Sequence, residues 1–402
     1  LVAVVDSARG LGVRRLRLQL HQVNLDKVRP FLDTLPFDGR LSGPVQADGW
    51  LDDVTASGTL TFADAAVEGT PESRFRFAGG IRTGTTLTFR DFQVFESDID
   101  MGTVKRLAPA AALEGRLAAS GTLEGPLDNA TFDGTAVHRD GDRPESRMIG
   151  TARLDTRTDE PEVEADGRLD PLVFEGIRRS FPTLPSQGGL AGRVTLRGPI
   201  TRLAMFADVQ GELGAVQADG IVGIDQPRFV ADGLSVAFQR LDLAMLTGRP
   251  ELATSLDGLL TATGVLDTTR APEGRLQFLL DGGNIRGIPM DSAALAASAA
   301  DGVVRVDSMS ADIGGVHTSG SGTLGWHAPR RGEMNFTLSA DSLVRLDSLA
   351  LAFTGLKRDT SGAWRTLDGV ASGDLRVRGS LDSLEASGRL VVNGLLFERA
   401  RL

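Results

Sequence analysis

The 402-residue chain has no cysteine and no tyrosine, is only 5% aromatic, and carries just three lysines, Lys27, Lys105 and Lys357. The absence of cysteine removes disulfides, thiol catalysis and thiolate metal sites together. With three tryptophans (Trp50, Trp326, Trp364) and no tyrosine, carboxylate pairs such as Asp52 with Asp53 or Asp159 with Glu160 lack the aromatic platforms of a glycosidase site and read as solvated turns. A net charge of −10 and a pI near 5.1 exclude the basic stripe of a nucleic-acid binder. No run of about 18 apolar residues is present, so no segment spans a bilayer as a helix. The four histidines, His21, His138, His317 and His327, share no ligand spacing and read as solvated or turn residues. There is no Gly-x-Ser-x-Gly elbow and no Gly-x4-Gly-Lys phosphate loop. Asp98-Ile99-Asp100 and Asp140-Gly141-Asp142 lack the glutamate that completes a calcium loop. No cofactor, metal or enzymatic activity is expected.

What the chain does have is glycine, 49 residues of it, in a background that is 41% apolar. A phrase of apolar residue, any residue, glycine, then alternating apolar positions and a second glycine recurs five times. It begins as Phe37-Asp38-Gly39-Arg40-Leu41, Leu113-Glu114-Gly115-Arg116-Leu117, Leu190-Ala191-Gly192-Arg193-Val194, Leu256-Asp257-Gly258-Leu259-Leu260 and Leu367-Asp368-Gly369-Val370-Ala371. The first glycines are 76, 77, 66 and 111 residues apart, so a repeated, stacked architecture is expected. Approximate units are 23–100, 101–171, 172–240, 241–341 and 342–402, forming one continuous array over 1–402. The opening at Leu1 is expected to be that of a piece of a longer protein, with targeting and anchoring segments elsewhere.

Strand signals dominate. Period-two apolar positions occur at Leu60 and Phe62, Phe75 and Phe77, Leu87 and Phe89, Leu117 and Leu123, and Val194 and Leu196. They continue at Leu276, Phe278 and Leu280, Val304 and Val306, Phe336 and Leu338, Leu375 and Val377, and Leu390 and Val392. Polar residues alternate with them, the pattern of antiparallel strands with one wet face. Asp48-Gly49, Gly79-Gly80, Asp133-Gly134, Asp219-Gly220, Asp281-Gly282 and Asp301-Gly302 read as hairpin turns, giving roughly thirty short strands. Short helices are expected before each phrase, within Val23 to Leu35, Met101 to Ala112, Leu172 to Leu184, Leu241 to Thr254 and Ser342 to Leu356. The fold expected is all-β with a few short helices, an elongated antiparallel sheet curled into an open groove.

The segment Leu113 to Leu127, followed by Ala130, Phe132 and Gly134, and the stretch Val306 to Leu324 with its Gly314-Gly315, resemble the repeats of the AsmA-like superfamily, most closely its TamB branch. The resemblance runs from about Val23 to Leu402 and rests on the order of degenerate glycine-leucine motifs. It implies a β-taco with a hydrophobic groove, anchored in the inner membrane by a segment outside this chain and crossing the periplasm. It further implies carriage of phospholipid acyl chains toward the outer membrane, with an outer-membrane barrel assembly protein of the TamA or BamA type as partner. The alternating residues named above are then the groove lining. The same alternation also fits a closed sandwich core. A scaffold for outer-membrane protein assembly, pairing its sheet edges with client strands, and a surface adhesin are the other functional readings.

Overall fold

The computed structural model describes residues 2–6, 10–27, 38–50, 52–107, 113–182, 184–185, 187–225, 228–267, 270–343 and 364–399. It divides into two compact units, Leu1–Leu203 and Ala204–Leu402, which are described separately. The first contains β1 (Val2–Asp6), β2 (Gly10–Asn24), β3 (Gly39–Trp50), β4 (Asp53–Asp64), β5 (Glu72–Arg82), β6 (Thr88–Asp100), α1 (Met101–Leu107), β7 (Arg116–Pro126), β8 (Asn129–Arg139), β9 (Ser146–Asp155), β10 (Glu162–Val173), α2 (Phe174–Ile177) and β11 (Gly189–Pro199). From the boundary onward come β12 (Leu203–Gly211), β13 (Gly214–Asp225), β14 (Arg228–Leu241), α3 (Leu243–Thr247), β15 (Thr254–Asp267), β16 (Glu273–Ile285), β17 (Ile288–Ala300), β18 (Val303–Ile313), β19 (Val316–Gly325), β20 (Gly332–Ala340), β21 (Trp364–Ser380) and β22 (Ser383–Arg399).

Among the described residues the protein is all-β, with 73% of them in strands and three short α-helices. In the first unit each strand from β1 to β11 pairs antiparallel with the next. In the second the same holds from β13 to β22.

The described residues form 22 strands, fewer and longer than the sequence suggests, because most of the glycine pairs read as turns are not turns. Gly79-Gly80, Asp133-Gly134, Asp219-Gly220 and Asp281-Gly282 lie inside strands, and Asp48-Gly49 lies near the end of β3. Only Asp301-Gly302 turns the chain, as do Arg286-Gly287 and Gly314-Gly315. All six residues of these three turns have positive φ, from 52° to 83°, the two-residue geometry that matches strand twist.

The in-strand glycines have another use. Gly121 faces Gly134, Gly134 faces Gly150, and Gly150 faces Gly167, a row crossing β7 to β10. A Cβ on Gly134 would stand 2.2 Å from the Ser120 carbonyl oxygen and 2.7 Å from the Gly121 Cα. Neighbouring strands therefore lean together along this line more closely than side chains permit, and the sheet creases there.

Helices recur where the phrase requires them. A 3-10 turn, Leu25–Lys27, follows β2; α1 follows β6; α2 follows β10; α3 follows β14. They are shorter than the sequence suggests, and most of the Ser342 to Leu356 candidate lies outside the described residues. Four strands separate α1 from α2 and α2 from α3, and six lie between α3 and residues 344–363. The wide glycine spacing of 111 residues is thus a repeat enlarged by two strands.

Within the first unit, equivalent side chains brace successive repeats. Near the start of the third strand of each, Ser73 Oγ accepts from the Asp100 amide (3.0 Å) and Ser146 Oγ from the Val173 amide (2.9 Å), in both cases 27 residues on. At the end of the second strand, Asp64 accepts from Arg106 at 2.8 Å, and Asp140 from Arg179 at 3.2 Å. Each arginine lies in or just after the helix that closes its repeat. Asp64 is fully buried, and its ion-pair partner Arg106 also reaches Asp38 at 3.1 Å. Replacing Arg106 with alanine should lower unfolding stability by about 3 kcal/mol, measured by urea denaturation. Gly134→Val, which drives a side chain into the crease, should cost about 1–3 kcal/mol in the same measurement.

Candidate apolar face

Directly paired residues in an antiparallel sheet share a face, so register decides which side chains lie together. In the first unit one row runs Val45, Gly58, Phe77, Val94, Gly121, and then through the glycine crease to Val194. Leu60 faces Phe75, Ile81 faces Phe89, Phe92 faces Leu123, Ile99 faces Leu117, and Ala165 faces Leu196. Phe62 lies two residues from Leu60 on the same side. Leu87 stands just before β6, where its carbonyl accepts from the Leu127 amide at 2.7 Å. In the second unit Leu276, Phe278 and Leu280 face Ala297, Leu295 and Ala293. Val304 and Val306 face Leu324 and Gly322. Phe336 faces Leu375, Leu338 faces Gly373, which faces Leu390, Met334 faces Val377, and Ala371 faces Val392. The predicted strand residues thus fall on a single face within each unit.

Their exposure is not uniform. Phe77 and Phe92 stack at 5.1 Å over Ala56, and all three are buried. Leu280 is buried with Phe238, Leu256 and Met290, and Val306 with Leu324 and Met334. Phe62 is also buried. Leu60, Phe75, Leu123, Leu276, Phe278, Phe336 and Leu338 remain partly exposed. Leu375, Leu390 and Val392, on β21 and β22, are 44%, 57% and 36% exposed. No helical layer covers these side chains among the described residues, since all three helices have seven residues or fewer.

Glycines on this same face make room for rings. Gly258 faces Phe238 and Leu280, and Gly320 faces Phe336. A Cβ at Gly320 would meet the Phe336 ring at 2.5 Å. Sequence reasoning missed Phe92 because a register shift between Phe89 and Phe92 breaks the period-two count. It also missed His138, which is buried rather than solvated. His138 Nε2 lies 2.6 Å from the Glu114 carbonyl oxygen, at the helical edge of the sheet. Buried polar residues on this face in the first unit (Asp64, Ser73, Ser97, His138, Ser146) cluster toward that edge.

The opposite face is an ion-pair ladder. Arg193 meets Asp166 at 2.7 Å, Arg90 meets Asp53 at 2.9 Å, and Arg378 meets Glu333 at 2.6 Å. Such exposed pairs contribute ~0–1 kcal/mol each, and their main effect is to keep this face in water. Hydrogen bonds from the Arg157 side chain and amide, followed by the charges of Arg157 and Arg153, hold the Asp155 carboxyl at about 2. Its contribution is present above the ordinary carboxylate value and lost as pH falls through about 2. Asp140 binds Arg143 and Arg179 rather than presenting free oxygens, and no group of His, Asp or Glu among the described residues is arranged to hold a metal ion. Nor is any helix among them long and apolar enough to cross a membrane.

No protein-family model, curated protein or solved structure matches this chain.

Phe77→Ala should cost about 3–5 kcal/mol in chemical denaturation, whereas Phe75→Ala should cost about 1–2 kcal/mol, because its ring is already partly in solvent. In a carboxyl-carbon NMR titration, Arg157→Ala should raise Asp155 from about 2 part of the way toward the ordinary value of about 3.9, because the residue-157 amide and the Arg153 charge remain.

Proposed function

We propose that the chain is a non-enzymatic lipid conduit, a segment of an AsmA/TamB-like bridge that carries phospholipid acyl chains along its apolar face. The observation that carries this reading is one apolar face shared by successive strands in each unit, with partly exposed side chains and no covering layer among the described residues. Aliphatic and aromatic lining removes methylenes from water at roughly 0.8 kcal/mol each. In the first unit Asp64 is the sole charged residue on this face among the paired positions of β3 to β11. An acyl chain there meets no fixed charge in the middle rows and is free to slide, while its headgroup stays in solvent. On this reading the chain works in the periplasm between an inner-membrane anchor and an outer-membrane barrel partner.

The test is lipid extraction and native mass spectrometry of the purified chain, alongside Leu196→Arg and Leu338→Arg variants whose fold is checked by circular dichroism. Copurifying phospholipid that falls several-fold in a folded variant is the expected result. A lipid-free parent, or unchanged lipid in folded variants, overturns the proposal.

A further inference from the structure

Among the described residues β22 pairs with β21 and with no other strand, so its outer backbone N–H and C=O groups stand unpaired. A sheet edge of this kind templates further pairing unless proline, lysine or a bulge blunts it. β22 contains no proline and no lysine, and its register with β21 is unbroken from Ser383 to Asn393.

The side chains along this edge lack partners on both faces. On the apolar face Leu384 and Leu390 are 51% and 57% exposed, and each stands opposite a glycine of β21, Gly379 and Gly373. On the other face Glu385 and Arg389 are exposed. Arg378, opposite Glu385, is held instead by Glu333 at 2.6 Å. Asp374, opposite Arg389, forms no ion pair with it among the described residues. Glu385 and Arg389 are four residues apart, about 13 Å along a strand, too far to meet within one chain.

We infer that β22 pairs antiparallel with β22 of a second copy of this chain, about a two-fold axis at Ser387. In that register Glu385 faces Arg389 of the second copy and Arg389 faces its Glu385, so two ion pairs form across the join. The same register sets Leu384 against Leu390 of the other copy, again twice, and Ala386 against Gly388. Moving the axis one residue, to Gly388, would oppose Arg389 to Ser387 and Glu385 to Val391 and lose both ion pairs. The run from Leu384 to Leu390 is thus its own complement when reversed, which selects a second copy over an unrelated strand. Directly opposed residues share a face, so the apolar faces of the two β22 strands join. Contact through one strand is a small interface, and the dimer is weak, with Kd on the order of 10 µM.

The test is sedimentation velocity of the 402-residue chain over about 1 to 100 µM, where the dimer share should rise with concentration. Arg389→Glu and Glu385→Arg each set like charges opposite one another at two symmetric positions and should each weaken dimerisation about tenfold. An equimolar mixture of these two variants should dimerise as the parent does, because every opposed pair is again opposite in sign. Both positions are exposed, and circular dichroism checks that the variants fold. Since the chain has no cysteine, Ser387→Cys reports the register: its two copies meet at the axis, within disulfide reach, and should crosslink on oxidation. Ser383→Cys, whose two copies lie at opposite ends of the pairing, should not. A chain that stays monomeric leaves the edge to a strand of another protein and overturns the inference. So do single variants that dimerise like the parent, a mixture that does not recover, or crosslinking at 383 in place of 387.

Discussion

A β-sheet with one apolar face and no second layer has to bury that face against itself. This constraint governs most of what the chain does. At roughly 25 cal/mol per Å² of exposed apolar surface, a flat sheet carrying Phe62, Phe75, Phe77, Phe89 and Phe92 on one side would be strongly disfavoured in water. The observed clusters around Phe77, Phe238 and Met334 are the local answer. Between them, rows such as Leu60 with Phe75 are left partly open, because strands that curl over a shared hollow cannot seal all of it. The partly open rows and the core that stabilises the fold are then two regions of one surface.

Glycine is what lets the surface curl. Bulky side chains crowd the inside of a bend, and the row from Gly121 to Gly167 removes them where β7 to β10 approach most closely. Elsewhere single glycines sit opposite rings, as Gly320 sits under Phe336. The ion-paired face complements them, since Arg193 with Asp166 and its counterparts keep the outside wet.

The alternation of Phe75 with Phe77, or Leu276 with Phe278 and Leu280, is legible in the sequence because period two survives wherever a strand runs without a bulge. So is the recurrence of a helical turn before each of the first four glycine phrases. Asp133-Gly134 reads as a turn and is none, because glycine serves two purposes, positive φ in hairpins and close approach in creases, and local sequence does not separate them. The bulge before Phe92 hides a core residue. The Asp64–Arg106 and Asp140–Arg179 braces join residues 42 and 39 apart, a distance over which no short motif speaks.

The helices follow β2, β6, β10 and β14, always an even-numbered strand, and each antiparallel strand reverses the chain. Within the first unit the helical connections therefore emerge at the same lip of the sheet, four strands apart. One strand gained or lost would send every later helix, with its arginine brace, to the opposite lip. Such a chain can change length only by whole hairpins, and the four-strand intervals between its helical turns obey that parity.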